Sequence, residues 1–234
     1  GIVSFATEAG LLSDRGGGSI IGPWVPYMSG TDQIARTEGS ATYNTSLGFQ
    51  ALQNLGAGVQ NTIIGSFAGD AITTGSENVA LGYLALSTED TGGRNIAIGL
   101  GTLQNLNYNG TGYNIAIGYA AGYDLTSGDD NVLVGYTAGY ELTEGNNNIA
   151  IGYQAMVNAT TADSNIGIGY QALDGITTQL RNTAIGQNAL GALGVGDVTA
   201  DSNIAVGSGA SASMVTGSRN LAIGVDAMGT GHDN

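Results

Sequence analysis

From Asn44 onward, large and small apolar residues alternate over three positions and a glycine closes the phrase. NIAIG at 95–99, NVLVG at 131–135 and NIGIG at 165–169 are three instances. Counting the Asn as position 0, positions +1 and +3 carry Ile, Val, Leu or Thr, and +2 is usually Ala or Gly. Such period-two alternation predicts a strand, because successive side chains on a pleated chain point to opposite faces. The β-branched residues suit that surface. Glycine at +4 predicts a sharp bend or a close backbone approach that a Cβ would obstruct. Positions +5 to +8, as in Tyr153-Gln154-Ala155-Met156, read as a second short extended piece. The rest of each unit is Thr, Ser, Gly, Asp, Glu and Asn, which is turn chemistry. A helix is excluded: no window keeps apolar residues at i, i+3 and i+4, and Gly or Asn interrupts every few residues.

The phrase recurs eleven times. Its asparagines are Asn44, Asn61, Asn78, Asn95, Asn114, Asn131, Asn148, Asn165, Asn182, Asn203 and Asn220. Its glycines are Gly48, Gly65, Gly82, Gly99, Gly118, Gly135, Gly152, Gly169, Gly186, Gly207 and Gly224. The step is 17 residues except for 19 after Asn95 and 21 after Asn182. Ala stands at +7 in every copy but one, where Thr102 replaces it. A fixed short period means units that stack. The division is therefore a non-repeat segment at 1–43 and an eleven-coil array at 44–234. The insertions, around Leu106–Thr111 and Val195–Thr199, fall in the polar half, which marks that half as the outer edge. The predicted fold is all-β, a parallel β-solenoid of about eleven coils. The small +2 and +7 positions read as a stripe along which another chain approaches closely.

Charge narrows the function. The net charge is −14, with no Lys and five Arg, so a phosphate backbone is repelled and nucleic acid is not an expected partner. No run of about 18 apolar residues spans a membrane. With no cysteine there is neither a disulfide frame nor thiolate chemistry, as suits an extracellular or virion setting. The only histidine, His232, leaves no central base for a nucleophilic triad, so the chain reads as non-enzymatic and cofactor-free. Glycosidase carboxylates need a groove that short regular coils do not offer.

Three residue sets remain as candidates. The recurring Asn reads as a stacked amide ladder or as a turn residue tolerating positive φ. Tyr119, Tyr136, Tyr153 and Tyr170 follow the glycine in consecutive copies and should stack, with a second pair at Tyr123 and Tyr140. Such a ladder either stabilises the solenoid or binds sugar rings. Acidic residues in the turns (Glu77, Glu89, Asp90, Asp129, Asp130, Glu141, Glu144) change spacing from copy to copy. They encode no repeated calcium cage and read as solvated surface. Residues 1–43 hold Trp24 and Tyr27 in GPWVPYM, read as a cap on the first coil and an attachment point to a larger particle.

NIAIGYQA, NTAIGQNA and NLAIGVDA resemble the NxAIGxxA units of YadA-type trimeric autotransporter adhesin heads. They are still more similar to the arrays of bacteriophage fibre proteins, and the resemblance covers residues 44–234. It implies a left-handed parallel β-roll with three chains about a long axis. The expected molecule is then a homotrimeric fibre or spike component of a virion. Its expected partners are other virion proteins through residues 1–43 and a host-surface glycan or receptor. The other reading is the head of a bacterial trimeric adhesin at the cell surface. The resemblance also implies a self-removing chaperone beyond the C-terminal GHDN.

Overall fold

The structure is a computed structural model and describes residues 43–193 and 200–229. Trp24 and Tyr27, the Val195–Thr199 insertion and His232 lie outside the described residues.

Each apolar phrase forms one three-residue strand. They are β1 (Thr45–Leu47), β2 (Thr62–Ile64), β3 (Val79–Leu81), β4 (Ile96–Ile98), β5 (Ile115–Ile117), β6 (Val132–Val134), β7 (Ile149–Ile151), β8 (Ile166–Ile168), β9 (Thr183–Ile185), β10 (Ile204–Val206) and β11 (Leu221–Ile223). All pair in chain order, in parallel, as one eleven-stranded sheet. Register follows the repeat: Ile149, Ala150 and Ile151 lie opposite Ile166, Gly167 and Ile168. The longer steps keep it too, with Ile96 opposite Ile115 and Thr183 opposite Ile204. Extra residues leave the coil in the polar half, so the core face is not flipped. The described chain is a β-solenoid without helix, and eleven strands at a spacing of about 4.8 Å span about 50 Å.

Two expectations are corrected. Positions +5 to +8 are a turn, not a second strand: residues at +6 and +8 have positive φ, as in Gln154 (54°) and Met156 (54°). Extended backbone cannot run through such residues. The small residues at +2 and +7 also do not face another chain. Ala97, Ala116, Ala150, Ala155 and Ala172 are buried inside their own coil. The large +1 and +3 side chains point outward instead. A coil only 17 residues around has little width, so the inward side of the sheet takes methyl groups while bulk goes outside.

The core exchanges volume between +2 and +8. Where +2 is Ala or Gly, +8 is usually large: Ala97 with Leu103, Ala150 with Met156, Gly167 with Leu173. Where +2 is large, +8 is Gly: Ile63 with Gly69, Leu133 with Gly139. A Cβ on Gly139 would sit 2.8 Å from a Leu133 methyl. Ala116 is paired with Gly122, where Leu103 and Leu133 of the adjacent coils take the space, so volume is balanced across neighbouring coils as dense packing requires. At +4 the constraint is backbone on backbone. Gly135 has φ +142°, and a Cβ there would lie 2.2 Å from the Gly152 carbonyl oxygen.

Candidate functional site: ladders, an apolar face and a polar cleft

The repeated asparagines line the interior as a continuous amide ladder. Asn148 Oδ1 accepts from the backbone N–H of Asn165 at 3.0 Å and from its Nδ2 at 3.3 Å. Asn148 Nδ2 donates to Asn131 Oδ1 at 3.1 Å and to the Ala162 carbonyl at 2.6 Å. The same set recurs up the stack, and Asn61 through Asn203 are fully buried at position 0. A buried amide with its donors and acceptor engaged is a structural element with no group left for a ligand. A second set of oxygens runs the other way at −2, where Asn146 Oδ1 and Asp163 Oδ1 accept N–H groups of the preceding coil.

Outside, +1 and +3 form a largely aliphatic face, interrupted at +1 by Thr45, Thr62 and Thr183. Leu47, Ile64, Ile117, Ile151, Ile185, Ile204, Leu221 and Ile223 are all exposed large hydrophobics on it. Neither column contains a charged residue. One bend further on, Tyr119, Tyr136, Tyr153 and Tyr170 stack with ring centroids 5.0 to 5.2 Å apart and planes within 10°. Tyr123 and Tyr140 stack likewise at 5.1 Å. Each ring in the ladder covers its neighbour's face, leaving edges and hydroxyls outward. A pyranose stacks on a free ring face, and such faces remain only at the two ends of the ladder.

The turn half holds a residue that corrects the reading of the acids as uniformly solvated. Glu77, Asp130, Glu141 and Glu144 are exposed, and Asp90 and Asp129 are half-buried. Glu89 is fully buried. It occupies +11, where the neighbouring coils place Ile72, Leu106, Leu125 and Leu142 in the core. The reason is the insertion in the next coil. In other regular coils two or three of the N–H groups at +12 to +14 converge on one carbonyl of the following coil, as Thr73, Thr74 and Gly75 do on Asp90 O. The coil at 78–94 faces a neighbour two residues longer. There Glu89 Oε1 accepts from Gly92 N at 2.6 Å and Oε2 from Tyr108 N at 3.2 Å. Burial pushes its carboxyl pKa up, while backbone N–H groups at 90, 91, 92 and 108 pull against that.

Gln179 plays the same part before the second insertion. It is fully buried, and its Oε1 accepts from Thr177 N at 2.6 Å and Thr178 N at 3.0 Å. Sequence reasoning placed Glu89 among the solvated turn acids and did not single out Gln179. The signal was present: each breaks its column in the coil immediately before a longer one.

Beside the first insertion, Arg94 donates to Glu77 at 2.8 Å and to the Tyr113 hydroxyl at 2.5 Å. Its guanidinium lies 5.4 Å from the Tyr113 ring centroid. The hydrogen bond from Arg94 holds the Glu77 carboxyl below its usual range. This group borders a cleft of about 280 Å³ walled by Asn109, Gly110 and Thr111. Among the described residues no cluster of three or more His, Cys, Asp or Glu could hold a metal, and no helix is long and apolar enough to cross a membrane. No protein-family profile, curated protein or solved structure matches the chain.

Proposed function

We propose that this chain is a non-enzymatic fibre or spike component: a left-handed solenoid that assembles as a homotrimeric rod and presents a stiff surface for host attachment on a phage or similar virion. One observation carries the reading, the outward aliphatic face of β1 to β11. It runs the full height of the sheet, about 50 Å by about 10 Å, on the order of 500 Å². That is near the largest apolar patch a soluble monomer ordinarily exposes. It is uncharged in a chain of net charge −14, whose carboxylates gather on the turns. Three copies about a common axis bury such a face against two neighbours each, with closed symmetry and no free sheet face. The periodic +1 and +3 residues of one copy then match those of the next at any height of the rod. Resemblance to fibre and adhesin repeats points the same way.

Native mass in solution tests this. Three chains of 23.4 kDa give about 70 kDa by light scattering, and a clean 23.4 kDa monomer overturns the rod. The paired variant Ile117→Asp, Ile151→Asp should fall to monomer mass, because two buried unpaired charges in each chain outweigh the apolar gain. If that variant remains a trimer, the seam lies on another face.

A further inference from the structure

The most irregular place in the described solenoid is the coil at 95–113, where two extra residues build a ledge. Its position is set from inside. Glu89 bonds the N–H of Tyr108 on the ledge and the N–H of Gly92 beneath it. The Tyr108 side chain tucks back against the core. The Gly110 C=O and the Gly112 N–H then continue the stack, with Gly93 N donating to Gly110 O at 3.1 Å and Gly112 N to Gly93 O at 2.9 Å. Asn109 and Thr111 are thereby held exposed on the ledge rather than folded onto the coil.

Between this ledge and the coils before it lies the cleft of about 280 Å³. Its rim offers the hydroxyls of Thr91 and Thr111, the amide of Asn109, and the Glu77–Arg94 pair, while the Ser76 hydroxyl is held by Val59 N–H and the Thr74 carbonyl. Thr91 Oγ1 donates to Asn109 Oδ1 at 2.6 Å, which leaves the Asn109 Nδ2 hydrogens pointing to other acceptors. The chemistry of the rim selects a ligand class. An anion meets a chain of charge −14 and an arginine already neutralised by Glu77. A hard cation wants several carboxylate oxygens at one spot, and only Glu77 supplies them here. No aliphatic or aromatic side chain lines the cleft, whose apolar surface comes from threonine methyls, glycines and the stems of polar side chains, so a purely apolar ligand would leave the rim's polar groups without partners. A neutral polyhydroxyl compound matches: its hydroxyls both donate and accept, and the rim presents hydroxyls, an amide, one carboxylate and one guanidinium within a small open space. The volume of about 280 Å³ admits about one sugar ring.

We propose that this cleft is a subsite for a neutral saccharide and that Glu89 is its positioning residue. The proposal rests on the host-attachment reading for its role, but not on the oligomeric state. The probe is a panel of immobilised neutral and acidic oligosaccharides, followed by calorimetry with the neutral sugar best retained. The expected result is retention of a neutral saccharide. Asn109→Ala and Arg94→Ala, both at exposed positions, should then weaken it at least tenfold with an unchanged melting curve. Glu89→Leu should weaken it too, with Glu89→Gln recovering part, since one oxygen acceptor is restored. In amide spectra the Gly110 and Thr111 resonances should move in Glu89→Leu while Ala150 stays. A folded wild-type chain that retains no saccharide overturns the proposal, as does retention of acidic sugars alone. Binding lost in Tyr136→Ala, Tyr153→Ala but kept in Asn109→Ala also overturns it and moves the site to the tyrosine ladder. Native mass is measured on the same samples. A trimer that binds no sugar refutes only the cleft, and a monomer that binds refutes only the rod.

Discussion

At the residue scale the asparagine at position 0 carries more of the fold than its exposure-based reputation suggests. Its side chain does the work of a peptide group turned inward, accepting from the coil above and donating to the coil below and to a carbonyl of the outer turn. Asn148→Ala removes those bonds and leaves Asn165 N–H buried without its acceptor. Each of the four lost bonds costs about 1 kcal/mol and an orphaned buried donor about 1–3 kcal/mol, so the variant should lose about 5 kcal/mol or more in urea unfolding. An unchanged midpoint would remove the ladder from the list of stabilising elements. The ladder was legible in the sequence as an invariant Asn at a fixed step. Glu89 was not, because its meaning depends on a carbonyl that the longer neighbouring coil does not bring to the N–H groups beside it, which is a three-dimensional fact.

At the scale of one coil, packing is a volume balance between the strand and the turn that follows it. Leu133→Ala opens a cavity beside Gly139 and should cost about 3 kcal/mol. Adding Gly139→Leu recreates the Ala–Leu pairing of the coil at 95–113 and should recover most of that loss in thermal unfolding. Gly139 has φ +59°, and Leu103 adopts φ +49° at the same position, so the backbone accepts leucine there. A double variant no better than the single would mean that the coils are not interchangeable. The tyrosine ladder belongs to this scale as well. Tyr136→Ala with Tyr153→Ala breaks all three stacked pairs between Tyr119 and Tyr170. At about 1 kcal/mol per pair the loss is about 3 kcal/mol, read as a lower melting temperature. No loss would mean that the stack contributes nothing and that its surface serves another purpose.

For the whole molecule, charge and buried carboxyls act together. Burial raises the carboxyl pKa of Asp70, Glu89 and Asp174 above the ordinary value. The folded chain then holds protons that the unfolded chain has released. The stability this supplies is present at acid pH and is lost as pH rises through the raised values. Melting temperature should therefore rise as pH falls from neutrality toward the ordinary carboxylate range, the opposite of ordinary acid denaturation. The falling net negative charge pushes the same way. Glu89→Leu separates the two, and should show a smaller gain over the same interval. An identical gain would assign the whole effect to net charge.

The sequence by itself determined the period, the strand positions, the parallel stacking and the place of the insertions. All of these follow from local patterns that repeat at fixed spacing. Short-range steric and hydrogen-bonding rules are enough to read Asn, three residues and Gly as one strand and one bend. Which way each side of that strand faces was decided only by the closed coil. Alternation says that +2 opposes +1 and +3, but either set could be inward. The narrow interior admits alanine at +2 and excludes isoleucine from nearly every coil, so the bulky residues became a surface and the small ones a core. The same closure bent positions +5 to +8 through positive φ, where the sequence alone suggested extension. It also drew Glu89 inside, because three backbone N–H groups required an oxygen that the longer neighbouring coil no longer supplied.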